Sequence, residues 1–264
     1  MISTGRTDLA TEFAAAKSTG INHTCYELYG EKITETVLDD SSAKAVGRRR
    51  GRYFTVESND SPFADGQIHA LCAVLRKLLP QGKCLAVGFG NPSIAADSLG
   101  WNTARRILAT SQYLASADNT EGIGNISVIR TDVSSNSGID SCFHAEFCAK
   151  NINADYIIAI DSLICNEPER LCTTIQLTDA GISPGSAMGE NEKQLDFSAA
   201  GVPVIAIGVP TSIEYRNNGK MYYVTPHDID ISIARYAYVI SSAINRVFCP
   251  ALSQSDIRML MNYS

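Results

Sequence analysis

The sequence lacks several features that would assign it to a familiar class. It has no excess of basic residues, because 22 Lys and Arg stand against 28 Asp and Glu and the net charge is −6. A nucleic-acid-binding surface normally gives a basic balance, so this class of function is disfavoured. No run of about 18 apolar residues occurs, which argues against a transmembrane helix. The first residues also have no apolar signal core, which favours an intracellular protein.

The eight cysteines form no Cys-x-x-Cys pair. Zinc and redox sites usually depend on such spacings. Cys72 and Cys84 lie within apolar patterns, where a free cysteine acts as a small hydrophobe. We therefore expect unpaired structural thiols, as is usual in a reducing compartment.

Three glycine-containing motifs are incomplete. Gly88-Phe89-Gly90 follows an apolar run, but the dinucleotide fingerprint needs a third glycine where this chain has Ser93. Neither glycine loop continues into Gly-Lys-Ser/Thr, so a phosphate-binding P-loop is absent from the sequence. Ser186 lies in Pro-Gly-Ser-Ala-Met, which is not a serine nucleophile elbow. A structural role, the tight exit from a strand, stays open for Gly88.

What the sequence does contain is an alternation of apolar strands and amphipathic helices. The predicted strands are 51–58, 84–87, 126–130, 156–160, 173–177 and 203–209. The predicted helices are 65–79, 98–114, 140–150 and 229–247. Thr225 is predicted to cap the last helix, and the remainder of residues 1–60 is predicted to be irregular. This order predicts an α/β fold with a mainly parallel sheet flanked by helices, in a single domain spanning 1–264.

Two aspartates are predicted at the edge of the sheet where α/β proteins bind their ligands. Asp97 follows the 84–87 strand, and Asp161 ends the strand that begins near 156. If two carboxyl groups lie close together, both cannot ionise easily; one can then take a proton from water while the other polarises a carbonyl. The pattern alone leaves structural roles open, since Asp97 can cap a helix beginning near Ser98 and Asp161 can bond a nearby turn.

The histidines and arginines add weaker indications. Of the four histidines, His144 is the one placed to approach the Asp161 strand. Four arginines between positions 48 and 52 form the one basic cluster. This cluster is either a solvated loop or a surface that attracts an acidic substrate peptide, because arginine holds carboxylates in bidentate fashion.

Several motifs occur in one order along nearly the whole chain. They are RTDLA (6–10), GRYFTVES (51–58), VGFGN (87–91), DSLG (97–100), IIAIDSL (157–163), TTIQLTDAGISPGSAMG (173–189) and GVPVIAIGVPT (201–211). In these motifs, and in the closing YVTPHDIDISIARYAYVISSAINRVF, the chain resembles the germination protease family. These are spore endopeptidases that degrade small acid-soluble spore proteins when a spore germinates.

The resemblance implies an atypical aspartic endopeptidase without a cofactor. The family's two implicated aspartates match the DSLG and IDSL motifs, which places the catalytic roles on Asp97 and Asp161. It also implies a fold similar to hydrogenase maturation peptidases, a homotetramer, zymogen control, and a place in the cytoplasm of the spore core. Cleavage is expected after glutamate in a consensus close to Thr-Glu-Phe-Ala, to which residues 11–14 of this chain are similar.

On this hypothesis, the glycine-containing loops position the substrate peptide through backbone hydrogen bonds. The residues predicted to bind substrate are Gly88, Gly90, Asn91, Asp179, Gly185 and Ser186. Small acid-soluble spore proteins are the expected partners, with no direct contact to nucleic acid or membrane.

Two alternatives stay open. Related maturation peptidases bind a metal at a similar loop, in which case Asp97, Asp161 and His144 would be the ligands. The segments 110–112 and 131–137 differ from the family pattern, and this motivates a non-catalytic sporulation factor on the same scaffold.

Overall fold

The computed structural model describes residues 7–15, 21–57, 65–116, 121–185 and 193–262. The strands, in chain order, are β1 (Asn22–Leu28), β2 (Glu31–Leu38), β3 (Gly51–Glu57), β4 (Cys84–Gly88), β5 (Ile126–Arg130), β6 (Tyr156–Cys165), β7 (Thr174–Thr178), β8 (Val204–Asn217) and β9 (Lys220–Val224). The α-helices are α1 (Ala10–Ala15), α2 (Asp40–Val46), α3 (Asp65–Leu78), α4 (Leu99–Ala104), α5 (Ser111–Ser116), α6 (Ser134–Ser137), α7 (Ser141–Asn151), α8 (Phe197–Ala200), α9 (Ile229–Phe248) and α10 (Gln254–Asn262). Among these described helices, none has both the length and the apolar character that crossing a membrane requires.

All the described strands join one sheet, in the order β1-β2-β3-β7-β8-β6-β4-β5, with β9 paired to β8. The strands β8, β6, β4 and β5 are parallel to one another and form what we call the parallel half. The strands β1, β2, β3 and β7 are joined by antiparallel pairings and form the antiparallel half. The predicted α/β fold is confirmed, although its parallel arrangement is limited to one half of the sheet. The single-domain boundary stays a prediction.

The parallel half is buried on both faces because helices cover each of them. On one face, Ile158 and Ile160 of β6 belong to a core shared with α3, α4 and α9. On the other face, Ile157 and Ala159 pack in a second core with α7. Successive residues of a strand point to opposite faces, so a strand covered on both sides needs a continuous apolar run.

Three of the predicted helices are confirmed as α3, α7 and α9. The single helix predicted over 98–114 is wrong, because α4 ends at Ala104 and α5 begins at Ser111. Between them, the Thr110 N–H donates to the carbonyl of Ile126 and the Thr110 hydroxyl donates to that of Gly124. The chain is therefore tied to β5 at the point where a helix would have continued.

The predicted cap of α9 is also wrong. Thr225 Oγ1 donates a hydrogen bond to the carbonyl of Thr211 at 2.8 Å, and the helix begins only at Ile229. The Thr225 hydroxyl therefore links the end of β9 to β8 and, within the described residues, does not accept a hydrogen bond from the first amides of the helix.

The first 60 residues contain more structure than predicted. Strands β1 and β2 form a hairpin whose turn residues Tyr29 and Gly30 both have positive φ, of 55° and 80°. Helix α2 begins with a capping box in which Asp39 and Ser42 exchange side-chain and backbone hydrogen bonds. The polar, largely exposed β1 concealed the hairpin, because an edge strand does not need an apolar run.

Candidate active site

Asp161 lies within β6 and not at its end, which corrects the prediction from sequence. β6 continues to Cys165, paired with β8, whereas the neighbouring β4 ends at Gly88 opposite Ile160. Asp161 is thus one residue beyond the end of β4, at the point where β6 and β8 extend past it. Its residue exposure is 0%.

Asp97 reaches the same edge from the short 3-10 turn Ala95–Asp97, which contacts both β6 and β8. Two glycines allow this close approach. Gly90 has a φ of +101°, and a side chain there would overlap the main-chain carbonyl of Asp97. A side chain at Gly100 would overlap the carbonyl of Ile160, so only glycine lets α4 lie directly against β6.

Each of the two carboxylates accepts a hydrogen bond from a loop amide. The Asn91 N–H donates to Asp97 Oδ2 at 2.8 Å, and the Gly185 N–H donates to Asp161 Oδ2 at 3.1 Å. Asp161 Oδ1 has no hydrogen-bond partner among the described residues. Ser98, not Asp97, occupies the cap position of α4. The carboxylate of Asp97 is therefore held by the preceding loop, and the helix-capping alternative is not supported.

The two carboxyl groups are electrostatically coupled. Burial raises the pKa of Asp161 well above its usual value, and the negative charge of Asp97 raises it further. The N–H groups of Ser162 and Gly185 lower this pKa but do not offset the increase. Asp161 therefore retains a proton at a pH where an ordinary aspartate has lost it.

The other residues predicted to bind substrate fall in different places. Gly90, Asn91 and Gly185 surround the aspartates, as described above. Gly88 ends β4, and a side chain there would overlap the carbonyl of Gly100, so its smallness serves the packing of α4. Ser186 lies outside the described residues.

Asp179 is not brought to the aspartate pair. β7 runs antiparallel to β8, with Gln176 opposite Gly208 and Thr178 opposite Ala206, so its carboxyl end leads away from the edge that holds Asp161. There, Asp179 Oδ2 accepts a hydrogen bond from Arg52 Nε at 3.0 Å.

The four arginines between 48 and 52 are each paired with a carboxylate. The ion pairs are Arg48–Asp8 at 3.6 Å, Arg49–Asp196 at 3.2 Å, Arg50–Asp40 at 3.6 Å and Arg52–Asp179 at 3.0 Å. The cluster is thus neither a free basic surface nor a wholly solvated loop, since its charges are largely used within the molecule.

A cavity of about 330 Å³ lies beside the projecting ends of β6 and β8. Gly208, which is paired with Asp161, and Leu163 line it on one side. Arg48, Arg49 and Tyr53 line it as well. The cavity combines apolar walls with these cationic groups and with Asp8.

Residues 7–13, which we call the N-terminal strap, cross β6 beyond Asp161. The Asp8 N–H donates to the carbonyl of Ile164 at 2.9 Å, and the Ile164 N–H donates to Asp8 Oδ2 at 3.1 Å. The charge of Asp8 also raises the pKa of Asp161. Sequence reasoning assigned no role to Asp8, and the RTDLA motif was the one signal that could have indicated it.

Three of the four residues similar to the cleavage consensus, 11–13, belong to this strap. Its Glu12 is 6% exposed and forms hydrogen bonds with two backbone amides, those of Asn166 at 2.8 Å and Glu167 at 3.0 Å. Arg170 Nε lies 3.9 Å from Glu12 Oε1. Glu12 therefore anchors the strap to the chain that follows β6.

The ligand set of the metal alternative is not assembled. Within the described ranges, no three His, Cys, Asp or Glu side chains are grouped closely enough to hold a metal ion. His144, on α7, accordingly does not join Asp97 and Asp161 in such a group.

The family model and the curated relatives agree on one family. A family model described as germination protease matches residues 5–218. The germination protease of Priestia megaterium is 32% identical over 201 residues, which are 71% of this chain and 54% of that protein. The germination protease of Geobacillus sp. gives the same identity and the same shares. The chain thus spans about half the length of these curated relatives.

Two further matches differ in coverage. The germination protease of Caldanaerobacter subterraneus subsp. tengcongensis is 28% identical over 317 aligned positions, covering 97% of this chain and 98% of that protein. The crystal structure of a [NiFe] hydrogenase maturation protease, HycI from Thermococcus kodakarensis, aligns with a TM-score of 0.39 and 13% identity over 65% of this chain and 98% of that one. This structural match is too distant to carry an argument. The family model and the curated relatives establish that the chain belongs to the germination protease family.

Proposed function

We propose that this protein is an endopeptidase in which Asp97 and Asp161 activate water, and that it degrades small acid-soluble spore proteins during germination by cutting after glutamate. Membership of the germination protease family supports the peptidase role. The observation that carries the mechanism is the burial of two carboxyl groups at one edge of a parallel sheet, where the charge of Asp97 raises the pKa of Asp161. Perturbed carboxyl groups of this kind are characteristic of hydrolytic sites.

The raised pKa of Asp161 supports a division of roles within the pair. Asp161 holds the proton and donates it to the carbonyl oxygen of the scissile bond. Asp97, held by the Asn91 N–H, accepts a proton from water as the oxygen of that water bonds to the carbonyl carbon. The proton on Asp97 then passes to the leaving nitrogen as the carbon–nitrogen bond breaks. In the same step, one of the two hydroxyl groups of the tetrahedral intermediate returns its proton to Asp161, which leaves the carboxylic acid product and restores the starting state.

Cleavage after glutamate is supported by the cavity of about 330 Å³ beside Gly208. Arg48 and Arg49 on its wall would exchange their present partners, Asp8 and Asp196, for the carboxylate of a glutamate side chain. The loop amides near Gly185 and Asn91, together with the predicted substrate residues Gly88, Gly90 and Ser186, would position the peptide backbone. Asp179 is left out of this proposal, because it is paired with Arg52 away from the edge.

The test is hydrolysis of a fluorogenic peptide containing Thr-Glu-Phe-Ala, followed by mass spectrometry of the products. Asp97→Asn and Asp161→Asn should each lower kcat by about 10³-fold, which lies within the usual contribution of acid–base catalysis. Asp179→Asn is the matched control and should keep its activity. Turnover near the wild-type rate in both site variants, each shown to be folded by circular dichroism, would exclude the two-aspartate mechanism.

The same assay separates the alternatives. Loss of activity with a chelator, restored by one metal, would favour a metal-dependent peptidase. Absence of cleavage of purified acid-soluble spore protein by the wild-type protein would favour a non-catalytic factor.

We also propose a homotetramer under zymogen control in the spore core, on the strength of the family alone. Sedimentation equilibrium tests the tetramer, and N-terminal sequencing of protein from dormant and germinating spores tests the processing.

A further inference from the structure

Two exposed arginines lie at the β5 end of the sheet edge that holds the aspartates. Arg130 is the last residue of β5 and pairs with Gly88, which in turn pairs with Ile160, the residue before Asp161. Adjacent strands are about 4.8 Å apart, so the backbone of Arg130 lies roughly 10 Å from that of Asp161. The other arginine, Arg105, follows α4, the helix that comes directly after Asp97.

The guanidinium of Arg130 lies over the indole ring of Trp101, with its carbon 4.9 Å from the ring centroid. Among the described residues, no carboxylate forms an ion pair with Arg105 or Arg130. The next residue, Arg106, has its pKa lowered by burial and by the charge of Arg105. These positive charges stand together on a protein of net charge −6, and they differ from the four paired arginines between 48 and 52.

A cavity of about 670 Å³ opens between these arginines and helix α10. Arg105 and Arg130 border it. Its apolar lining residues include Ile107, Leu108, Val128, Leu252 and Leu260. Cationic groups beside apolar walls suit a ligand that presents a carboxylate next to an aliphatic side chain.

We infer that Trp101, Arg105, Arg130 and this cavity, together called the Arg130 surface, bind an acidic segment of the substrate polypeptide outside the scissile bond. This inference rests on the proposed function. An extended chain advances about 3.3 Å per residue, so the acidic side chain held by Arg130 lies about three residues from the bond that is cut. The Arg130 surface would select substrates by a second contact, separate from the cavity beside Gly208.

An acidic peptide fits the surface better than a nucleic acid does. A nucleic-acid site needs a run of cations along the backbone path, whereas the net charge here is −6 and the cavity walls, which include Tyr113, are mostly aliphatic. Stacking of Trp101 with a base is the competing possibility, and the experiment below includes it.

Trp101 is the single tryptophan of the chain, so its fluorescence reports binding at this surface without any need for catalysis. The probe is a blocked hexapeptide of alternating Leu and Asp, which lacks glutamate and therefore has no predicted cleavage site. We expect a saturable change in emission that weakens with added NaCl. The matched Leu/Asn peptide should bind at least about tenfold more weakly, corresponding to 1.4 kcal/mol.

Variants of the intact protein identify the residues responsible. Arg130→Gln should weaken binding of the Leu/Asp peptide by about tenfold, and Arg105→Gln by a few-fold. Arg130→Lys keeps the charge and should recover part of the loss. Arg50→Gln, an exposed arginine in the antiparallel half, is the matched control and should bind like the wild type.

Equal binding of the Leu/Asp and Leu/Asn peptides, or no effect of Arg130→Gln, would overturn the inference. Tighter binding of a ten-residue oligothymidine would overturn it as well and would assign the surface to nucleic acid. Because emission does not depend on turnover, a protein that binds the acidic peptide but cleaves nothing contradicts the proposed function alone. Conversely, Arg130→Gln could cleave a substrate that carries an added acidic segment with the same KM as the wild type. That result would contradict only this inference.

Discussion

The two halves of the sheet handle charge in opposite ways. In the antiparallel half, every arginine between 48 and 52 lies next to a carboxylate from another segment of the chain. In the parallel half, the charge of one buried carboxyl group raises the pKa of another, and Arg105 and Arg130, at the β5 end of the sheet, have no carboxylate partner in the part of the chain that the structure describes.

This difference separates charges that are already paired within the fold from charges that have no such partner. Opposite charges in contact lower the energy of the folded state, whereas two like charges buried together raise it. A pair such as Asp97 and Asp161 is therefore costly for folding, which is expected where a fold supports chemistry.

The largest effect should come from removing the like-charged pair through Asp161→Asn. The pKa of Asp161 is raised above its ordinary value of 3.8, so the folded state keeps a proton that the unfolded chain releases. Wild-type stability should then fall as pH rises from that ordinary value towards the raised one, by up to about 1.4 kcal/mol per pH unit. The asparagine variant should lack this slope and should be more stable than the wild type at neutral pH.

Urea denaturation of both proteins at a series of pH values measures the two slopes. Parallel curves for wild type and Asp161→Asn would show that the aspartates are not coupled, and the contrast between the halves would then disappear.

A smaller effect should follow from loosening the N-terminal strap by Glu12→Gln. The two oxygens of the buried Glu12 carboxylate each accept a hydrogen bond from a backbone amide, whereas glutamine in the variant has only one side-chain oxygen. Hydrogen bonds to charged groups contribute about 1.5–3 kcal/mol, so the free energy of unfolding should fall by about 2 kcal/mol. Glu167→Gln is the control, because the side chain of Glu167 is 48% exposed, and it should change stability by less than about 0.5 kcal/mol. Equal losses in the two variants would mean that the strap is not anchored through Glu12.

The smallest expected changes in stability come from replacing two paired arginines of the antiparallel half, Arg52 and Arg50. Arg52 bonds Asp179 through both its backbone N–H and its side chain, so Arg52→Gln should lower the free energy of unfolding by up to about 1 kcal/mol. The Arg50–Asp40 pair is largely exposed, and Arg50→Gln should change stability by less than about 0.5 kcal/mol. Chemical denaturation in low salt resolves this difference, and a larger loss for Arg50→Gln would reverse the assignment.

The sequence predicts the centre of the parallel half well, and its surroundings less well. The apolar runs of β4, β6 and β8 identify buried strands, and the rule for open α/β sheets then places Asp97 and Asp161 at one edge. The extension of β6 beyond Asp161 was missed. Buried polar residues such as Ser162 and Thr211 interrupt the apolar pattern there, although the strands continue to pair.

Long-range contacts account for most of what the sequence did not predict. Asp8 and Ile164 are far apart in the chain, and no local pattern indicates that their backbones bond each other. The ion pairs of the arginine cluster depend in the same way on how distant strands align. The family resemblance indicated Asp97 and Asp161 as candidate catalytic residues but did not indicate these contacts.

The burial of Asp97 and Asp161 affects the rates of their reactions as well as the stability of the fold. With exposures of 1% and 0%, neither carboxyl group meets solvent in the conformation described. A reagent such as a water-soluble carbodiimide can modify them only while the surrounding loops stand apart. The rate of modification at saturating reagent therefore equals the frequency of opening, and under the proposed two-aspartate mechanism that frequency is an upper limit for turnover.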